Sequence, residues 1–127
     1  MAVVLVVDDV DQVRVLAESI LQGMGFQTLS AATVDQALAL IRAEPSIELL
    51  FTDINLADDV ETGLVHPGLE LAQQALRLSP QLRVLYTTGA SVTDGMKALF
   101  VEGSDVLAKP YDINQLSAKI AEMVSGD

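Results

Sequence analysis

Residues 3–9 read VVLVVDD, and residues 49–56 read LLFTDINL. Each stretch is a short apolar run that stops at an aspartate, which is typical of a strand covered on both faces of a sheet. Segments of helical periodicity separate these runs from three further ones, so strand and helix alternate five times along the chain. This alternation predicts an α/β protein in which five parallel strands form a doubly wound sheet with five helices.

The spacing of apolar residues predicts which helix faces pack on the sheet. The inner stripe of the first helix is expected to include Leu16 and Ile20, and that of the last helix Ile113 and Ile120. A short helix before Gly103 is expected to carry Met96, Leu99 and Phe100. The strands are expected at residues 3–7, 26–29, 47–51, 82–86 and 106–108.

Length and composition restrict the classes of protein. The chain has 127 residues, of which 50% are hydrophobic, so we expect residues 1–127 to fold as a single domain. The absence of cysteine excludes thiol chemistry and thiolate metal sites, and no apolar run is long enough to cross a bilayer. These features favour a cytoplasmic domain without membrane contact. A net charge of -11 further predicts no direct binding to nucleic acid.

Candidate functional residues follow the predicted strands, because ligands of doubly wound sheets bind at the carboxyl ends of the strands. Those ends supply carboxylates, hydroxyls and an amine, namely Asp8, Asp9, Asp53, Thr87, Thr88 and Lys109. Clustered carboxylates repel one another and need a cation, and oxygen ligands favour Mg²⁺. The amine and a hydroxyl suit phosphoryl oxygens, and one carboxylate can act as a nucleophile that forms an aspartyl phosphate.

Each of these residues also has an ordinary structural explanation. Asp8 and Asp9 could cap the first helix, Asp53 could be a turn residue, and the dipeptide at Lys109 is common. Their occurrence together at four strand ends favours the functional interpretation. His66, the single histidine, is expected to be an exposed loop residue and not a ligand.

The two opening stretches, with VLYTTGA at 84–90 and VLAKP at 106–110, resemble the conserved blocks of the response-regulator receiver family. They occur in the right order and span the whole chain. The resemblance implies a flavodoxin-like, CheY-like fold with strand order 2-1-3-4-5. It also implies that Asp53 is the phosphoacceptor and that Asp8, Asp9, Asp53 and the backbone carbonyl of Asn55 surround Mg²⁺.

The same resemblance implies roles for the last two strand ends and for the partners. Thr88 is the expected switch hydroxyl, and Lys109, followed by a cis peptide bond to Pro110, is expected to contact the phosphoryl group. A sensor histidine kinase or a histidine phosphotransfer protein then donates the phosphoryl group, and a downstream protein partner responds; a homodimer is compatible with this scheme. Such a domain catalyses only its own phosphorylation and dephosphorylation.

Two features depart from the family pattern. First, Ala57 stands where a proline is usual, and the connection from Asp58 to Pro67 is longer than usual. This connection either tunes access to the site or is a tolerated surface insertion. Second, Val106 stands where the family commonly has a tyrosine or phenylalanine that turns inward. A valine has one stiff χ1 angle, so we expect the signal to leave through Thr88 and the segment that ends at Phe100.

Two other functions remain open from the sequence. A Mg²⁺-dependent phosphatase of the haloacid-dehalogenase type would use Asp9, because Asp9, Val10 and Asp11 form its Asp-x-Asp pattern. The missing acidic pair after a later strand argues against this enzyme. The other alternative is a receiver-like binding module that is never phosphorylated, which the intact acidic set disfavours. Flavin binding is disfavoured because no phosphate-cradling loop follows the first strand.

Overall fold

The computed structural model describes residues 2–56, 66–89 and 91–125. The strands are β1 (Val3–Val7), β2 (Gln27–Ala31), β3 (Ile47–Asp53), β4 (Arg83–Thr88) and β5 (Asp105–Ala108). The helices are α1 (Asp11–Gly23), α2 (Val34–Ala43), α3 (Pro67–Leu78), α4 (Asp94–Lys97) and α5 (Ile113–Ser125). The predicted alternation of five strands with five helices is therefore confirmed.

All neighbouring strands pair in parallel, and their order across the sheet is β2-β1-β3-β4-β5. This is the order that the family resemblance implied. Every residue of β1 is buried, as is every residue of β3 except Glu48. The continuous apolar runs that open the chain and precede Asp53 thus form the covered centre of the sheet.

Side chains alternate along each strand and divide the interior into two cores. One core contains Leu5, Leu50 and Tyr86, and it is covered by α2 and α3, with Met96 from α4. The other contains Val4, Phe51 and Leu85, and it is covered by α1 and α5. The helices on both faces leave the carboxyl ends of the strands free to carry loops.

Two residues assigned to inner helix stripes lie at the surface. Leu16 in α1 is 49% exposed and Ile113 in α5 is 59% exposed, whereas Ile20 and Ile120 are buried as expected. Periodicity identified the apolar positions, but the buried face of α1 consists of Ala17, Ile20 and Leu21. Leu16 lies beside this face, next to the strand-end loops, and lines a surface groove there.

The helix expected before Gly103 is shorter than predicted. α4 ends at Lys97, after which Leu99 N–H donates to the Met96 carbonyl and Phe100 N–H to the Lys97 carbonyl. These hydrogen bonds span three residues and tighten the chain into turns. The Phe100 ring consequently packs on Tyr86, with 4.5 Å between the ring centroids, while Leu99 remains exposed.

β3 and β4 extend two residues further than predicted and include the polar residues at their ends. Asp53 pairs with Thr87, and Thr88 pairs with Ala108. Backbone pairing does not require an apolar side chain, so the drop in hydropathy after Phe51 does not end the strand. The sheet ladder therefore holds Asp53, Thr87 and Thr88 in register. The boundaries of β2 differ in the same direction, since it ends at Ala31 instead of Leu29.

The long connection predicted from Asp58 to Pro67 lies outside the described residues except for His66 and Pro67, and Ala57 lies outside them as well. Pro67 is the first residue of α3, one residue before the glycine expected to open that helix. Within the described part of the chain, no helix combines the length and the hydropathy that a membrane span requires.

Gly68 is the residue through which α3 packs against the end of β3. Its N–H donates to the Ile54 carbonyl at 2.8 Å. A Cβ atom on Gly68 would lie 1.8 Å from the Asp53 carbonyl oxygen and 2.7 Å from the Ile54 Cα. Only a residue without a side chain permits this backbone contact.

We expect Gly68→Ala to lower the free energy of unfolding by about 2 to 3 kcal/mol, because the added methyl group forces one backbone segment away from another. Urea denaturation followed by circular dichroism measures the change. Gly23→Ala is the matched control, because nothing lies within 4 Å of its Cβ position. It should leave stability unchanged or raise it by about 0.5 to 1 kcal/mol. Equal stability of the two variants would contradict the close packing at Gly68.

Candidate functional site

The predicted strand-end residues meet at one edge of the sheet. Asp8 and Asp9 follow β1, Asp53 ends β3, and Lys109 follows β5. Asp8, Asp9 and Asp53 each contribute a carboxylate oxygen to a group of atoms that lie within 4.8 Å of one another. The sequence analysis therefore identified an acidic cluster that the fold assembles from two strands far apart in the chain.

Lys109 joins two of the three acidic residues. Its Nζ atom lies 2.8 Å from Asp8 Oδ2 and 2.8 Å from Asp53 Oδ2. The Asp8 and Asp53 side chains are 4% and 10% exposed, so this charge pairing occurs almost out of contact with water. One ammonium group faces three carboxylates, which leaves the site negative and suited to a cation. The peptide bond from Lys109 to Pro110 is cis, as the resemblance implied.

Burial and pairing shift the pKa values in this group. Burial raises the pKa of Asp53 above its ordinary value, even though hydrogen bonds from Lys109 and from the Asn55 N–H oppose the shift. Burial alone would lower the pKa of Lys109, but hydrogen bonds to Asp53 and Asp8 outweigh it and raise that pKa. The amine therefore stays charged, and the environment disfavours the ionised form of Asp53.

Backbone N–H groups fix the two buried carboxylates. Val10 N–H donates to Asp8 Oδ1 at 2.9 Å, and Asn55 N–H donates to Asp53 Oδ1 at 3.0 Å. Arg14 donates from Nη1 to the backbone carbonyl of Asp8 at 2.8 Å. Asp8 Oδ1 thus accepts from the residue that precedes α1, while its second oxygen contacts the amine. The expectation that Asp8 caps the first helix is wrong, because Val10 is the N-cap and no side chain makes a capping hydrogen bond there.

The hydroxyls at the end of β4 are both buried. Thr87 and Thr88 are each 2% exposed, and the Thr88 carbonyl accepts a hydrogen bond from Lys109 N–H at 2.8 Å. The Thr87 hydroxyl has no hydrogen-bond partner. Because Thr87 pairs with Asp53 across parallel strands, the two side chains lie on the same face of the sheet. An unpaired buried hydroxyl costs about 1 to 3 kcal/mol, so its retention beside Asp53 is consistent with a functional site.

The sequence analysis missed Tyr111, which lies close to the acidic cluster. Burial, with the negative charge of Asp8 and to a lesser degree of Asp53, raises the pKa of Tyr111 to about 12, while Lys109 opposes the shift. Its ring meets the edge of Phe51 at a centroid distance of 5.8 Å. The position of Tyr111 two residues after Lys109 was the only sequence signal, and it did not predict this contact.

The donor set fits Mg²⁺. The clustered carboxylate oxygens of Asp8, Asp9 and Asp53 are hard ligands, and the residues described contribute no sulfur or imidazole ligand to the cluster. By contrast, the Asp-x-Asp pair of the phosphatase alternative does not converge. The Asp11 side chain is 83% exposed and pairs with Arg14 at 2.6 Å, away from the cluster.

An apolar groove of about 430 Å³ adjoins Lys109. It is lined by Val13, Leu16, Gly89, Lys109, Pro110 and Tyr111. Leu16 from α1 lines this groove together with Pro110 and Tyr111, which follow β5. A partner that filled this groove would contact Lys109 directly.

The geometry agrees with a comparison of the sequence with known families. The family model of the response regulator receiver domain matches residues 4–121. The chain belongs to this family. Receiver domains are signalling domains of two-component systems and not classical enzymes.

Individual relatives agree in sequence and in structure. The response regulator protein PilR of Pseudomonas aeruginosa is 34% identical over 118 residues, which cover 92% of this chain and 25% of PilR. A CheY-like receiver domain protein from Methanospirillum hungatei superimposes with a TM-score of 0.85 at 26% identity, covering 99% of this chain and 95% of that one.

NtrX from Brucella abortus superimposes with a TM-score of 0.83 at 29% identity, covering 99% of this chain and 28% of NtrX. In the sequence comparison, this chain spans about a quarter of the length of PilR.

Proposed function

We propose that this domain accepts a phosphoryl group on Asp53 with the help of Mg²⁺ and passes the resulting change to a protein partner. The observation that carries the proposal is the contact of one Lys109 amine with both Asp8 and Asp53, at 2.8 Å each, within the three-carboxylate cluster. Family membership supports the same activity. We further infer that the domain acts in the cytoplasm.

The chemistry requires few groups. A carboxylate oxygen of Asp53 attacks the phosphorus atom of a phosphohistidine, the bond from phosphorus to nitrogen breaks, and the departing imidazole takes up a proton. Asn55 N–H holds Asp53 Oδ1 in place, and Lys109 can move from Asp53 Oδ2 to the incoming phosphoryl oxygens. Mg²⁺, when bound by Asp8, Asp9, Asp53 and the Asn55 carbonyl, supplies positive charge to the phosphoryl oxygens.

We expect acetyl phosphate with Mg²⁺ to add one phosphoryl group to the domain, at Asp53. Asp53→Asn should abolish the mass increase, because an amide is not a nucleophile toward phosphorus. Asp9→Ala or excess chelator should also suppress it by more than about tenfold, because the clustered carboxylates then lack a cation that neutralises them. Intact-mass spectrometry followed by peptide mapping measures both effects.

The alternative functions give different results in that assay. A label on Asp9 would favour the phosphatase chemistry, and no label under any condition would favour a binding module that is never phosphorylated. Unchanged labelling in chelator would contradict the proposed metal site.

The apolar groove beside Lys109 suits the protein that donates the phosphoryl group, which we propose to be a sensor histidine kinase or a histidine phosphotransfer protein. The donor histidine must come within bonding distance of Asp53, and the half-exposed Leu16 side chain lines the same groove as Lys109, which contacts Asp53. Binding through an exposed leucine next to the site would bring the two reacting groups together.

We expect Leu16→Asp to slow phosphoryl transfer from a phosphohistidine protein by about tenfold, because a charged side chain disrupts an apolar contact. Labelling by acetyl phosphate, which needs no protein contact, should not change. Leu78→Asp is the matched control, since Leu78 is 44% exposed on α3 and does not line the groove. Equal slowing by both variants, or slowing with acetyl phosphate too, would contradict a docking role for Leu16.

The output path that we propose runs through β4 to the turns after α4. Tyr86 lies two residues before Thr88, and its hydroxyl accepts a hydrogen bond from Val101 N–H at 3.1 Å. Its ring also contacts Phe100. Val106 pairs with Tyr86 on the next strand, but it offers no ring or hydroxyl for a state-dependent contact. A displacement of Thr88 would therefore reach the surface near Phe100.

We expect a stable phosphoryl mimic to change amide hydrogen exchange mainly between Thr88 and Phe100. The change between Asp105 and Ala108 should be smaller, because Val106 cannot rotate between two positions. Thr88→Ala should remove most of the first effect while Asp53 still accepts a phosphoryl group. A change centred on residues 105–108 that equals or exceeds that of residues 88–100 would contradict this path. We expect the reader of this surface to be a protein, since the net charge of -11 opposes binding of the domain itself to DNA.

A further inference from the structure

His66 contacts the candidate site, although the sequence predicted an exposed loop residue. It lies at the far end of the connection that follows Asp53, and it is half-buried. Its Nδ1 atom is 3.0 Å from Asn55 Oδ1. Because an amide oxygen can only accept, the imidazole donates to Asn55 in the tautomer that carries its proton on Nδ1. The histidine therefore binds the side chain of the second residue after the phosphoacceptor.

The His66 side chain is not needed to begin α3. The His66 carbonyl accepts from the N–H groups of Leu69 and Glu70, whereas the imidazole makes no capping hydrogen bond to the helix. The first turn of α3 is fixed by the backbone contact between Gly68 and the end of β3. The imidazole is thus mounted on a rigid element and directed at a polar neighbour.

Asn55 is the residue through which this contact reaches the site. Its N–H donates to Asp53 Oδ1 at 3.0 Å, and its carbonyl is the expected backbone ligand of Mg²⁺. Its side chain is otherwise exposed to solvent. A hydrogen bond that restrains this side chain also restrains the orientation of the two peptide groups on either side of it.

We propose that His66 is a positioning residue that orients Asn55 and thereby raises the affinity of the acidic cluster for Mg²⁺. The inference rests on the proposed function, because it assumes that the cluster binds this ion. Hydrogen bonds that orient metal ligands commonly contribute about tenfold or more to metal affinity.

Thermal unfolding at a series of Mg²⁺ concentrations tests the inference, because an ion that binds only the folded chain raises the melting temperature by an amount that grows with the logarithm of its concentration over its dissociation constant. We expect His66→Ala to weaken Mg²⁺ binding by about tenfold. His66→Gln retains an N–H donor and should recover most of the affinity. Gln74→Ala, a polar substitution two helical turns further along α3, should have no effect. In chelator, all four proteins should melt within about 2 °C of one another.

A double-mutant cycle with Asn55→Ala separates this role from general damage. If His66 acts through the Asn55 side chain, the double variant should lose no more affinity than the more affected single variant. In acetyl phosphate labelling, His66→Ala should raise the Mg²⁺ concentration for half-maximal rate while the rate at saturating Mg²⁺ stays within about twofold.

Four outcomes would overturn the inference. They are unchanged Mg²⁺ affinity in His66→Ala, additive losses in the cycle, failure of His66→Gln to recover affinity, and a melting temperature in chelator that falls with His66→Ala. In each case a wild-type response to Mg²⁺ that Asp9→Ala abolishes would leave the proposed function intact. A wild-type protein whose melting temperature does not respond to Mg²⁺ would overturn both.

Discussion

The ammonium group of Lys109 connects β5 to two strands with which β5 does not pair. β5 is separated from β3 by one strand and from β1 by two, yet the lysine that follows β5 binds acidic residues at the ends of both. Adjacent strands lie about 4.8 Å apart, so only a long side chain reaches across β4. The hydroxyls and the glycine at the end of β4 are small enough to leave this path open. The order of the strands therefore determines which side chains can meet at the site.

This arrangement favours function over stability. Two buried carboxylates, those of Asp8 and Asp53, share one amine beside a third carboxylate, and burial raises the pKa of Asp53 despite its partners. Replacing such a group by apolar residues would often stabilise a fold. The unpaired Thr87 hydroxyl adds to the same cost. Buried charges and unpaired polar groups of this kind cluster at functional sites, so the cost in stability is consistent with the proposed function.

Much of the fold and most of the site were predictable, for one physical reason. Parallel strands place their carboxyl ends on one edge of the sheet, so Asp53 and Lys109 could be brought together without knowledge of any contact. Residues whose environment depends on the path of a loop were not predictable. His66 binds the Asn55 side chain and Tyr111 lies near the acidic cluster because of where a helix begins and where the chain goes after β5, and no periodicity in the sequence predicts either position.

The errors in the helices have a related cause. Leu16 and Ile113 follow an apolar spacing. Such a spacing identifies the apolar face of a helix, but it does not show which other element of the fold covers that face. Likewise, the residues after Lys97 have the composition of a helix. The chain instead forms a tighter turn, in which Phe100 contacts Tyr86. This contact is a tertiary interaction, and local helix propensity does not include it.

The close packing at Gly68 makes the two sides of the site mechanically unequal. On one side α3 is in backbone contact with the Asp53 peptide, so strand and helix behave as one stiff body. On the other side β4 is followed by α4, a helix of only four residues, and by turns whose hydrogen bonds span three residues. We therefore expect a structural change at Asp53 to displace the short helix and turns after β4 more than it displaces α3. The absence of a side chain at Gly68 would then determine which side of the site moves.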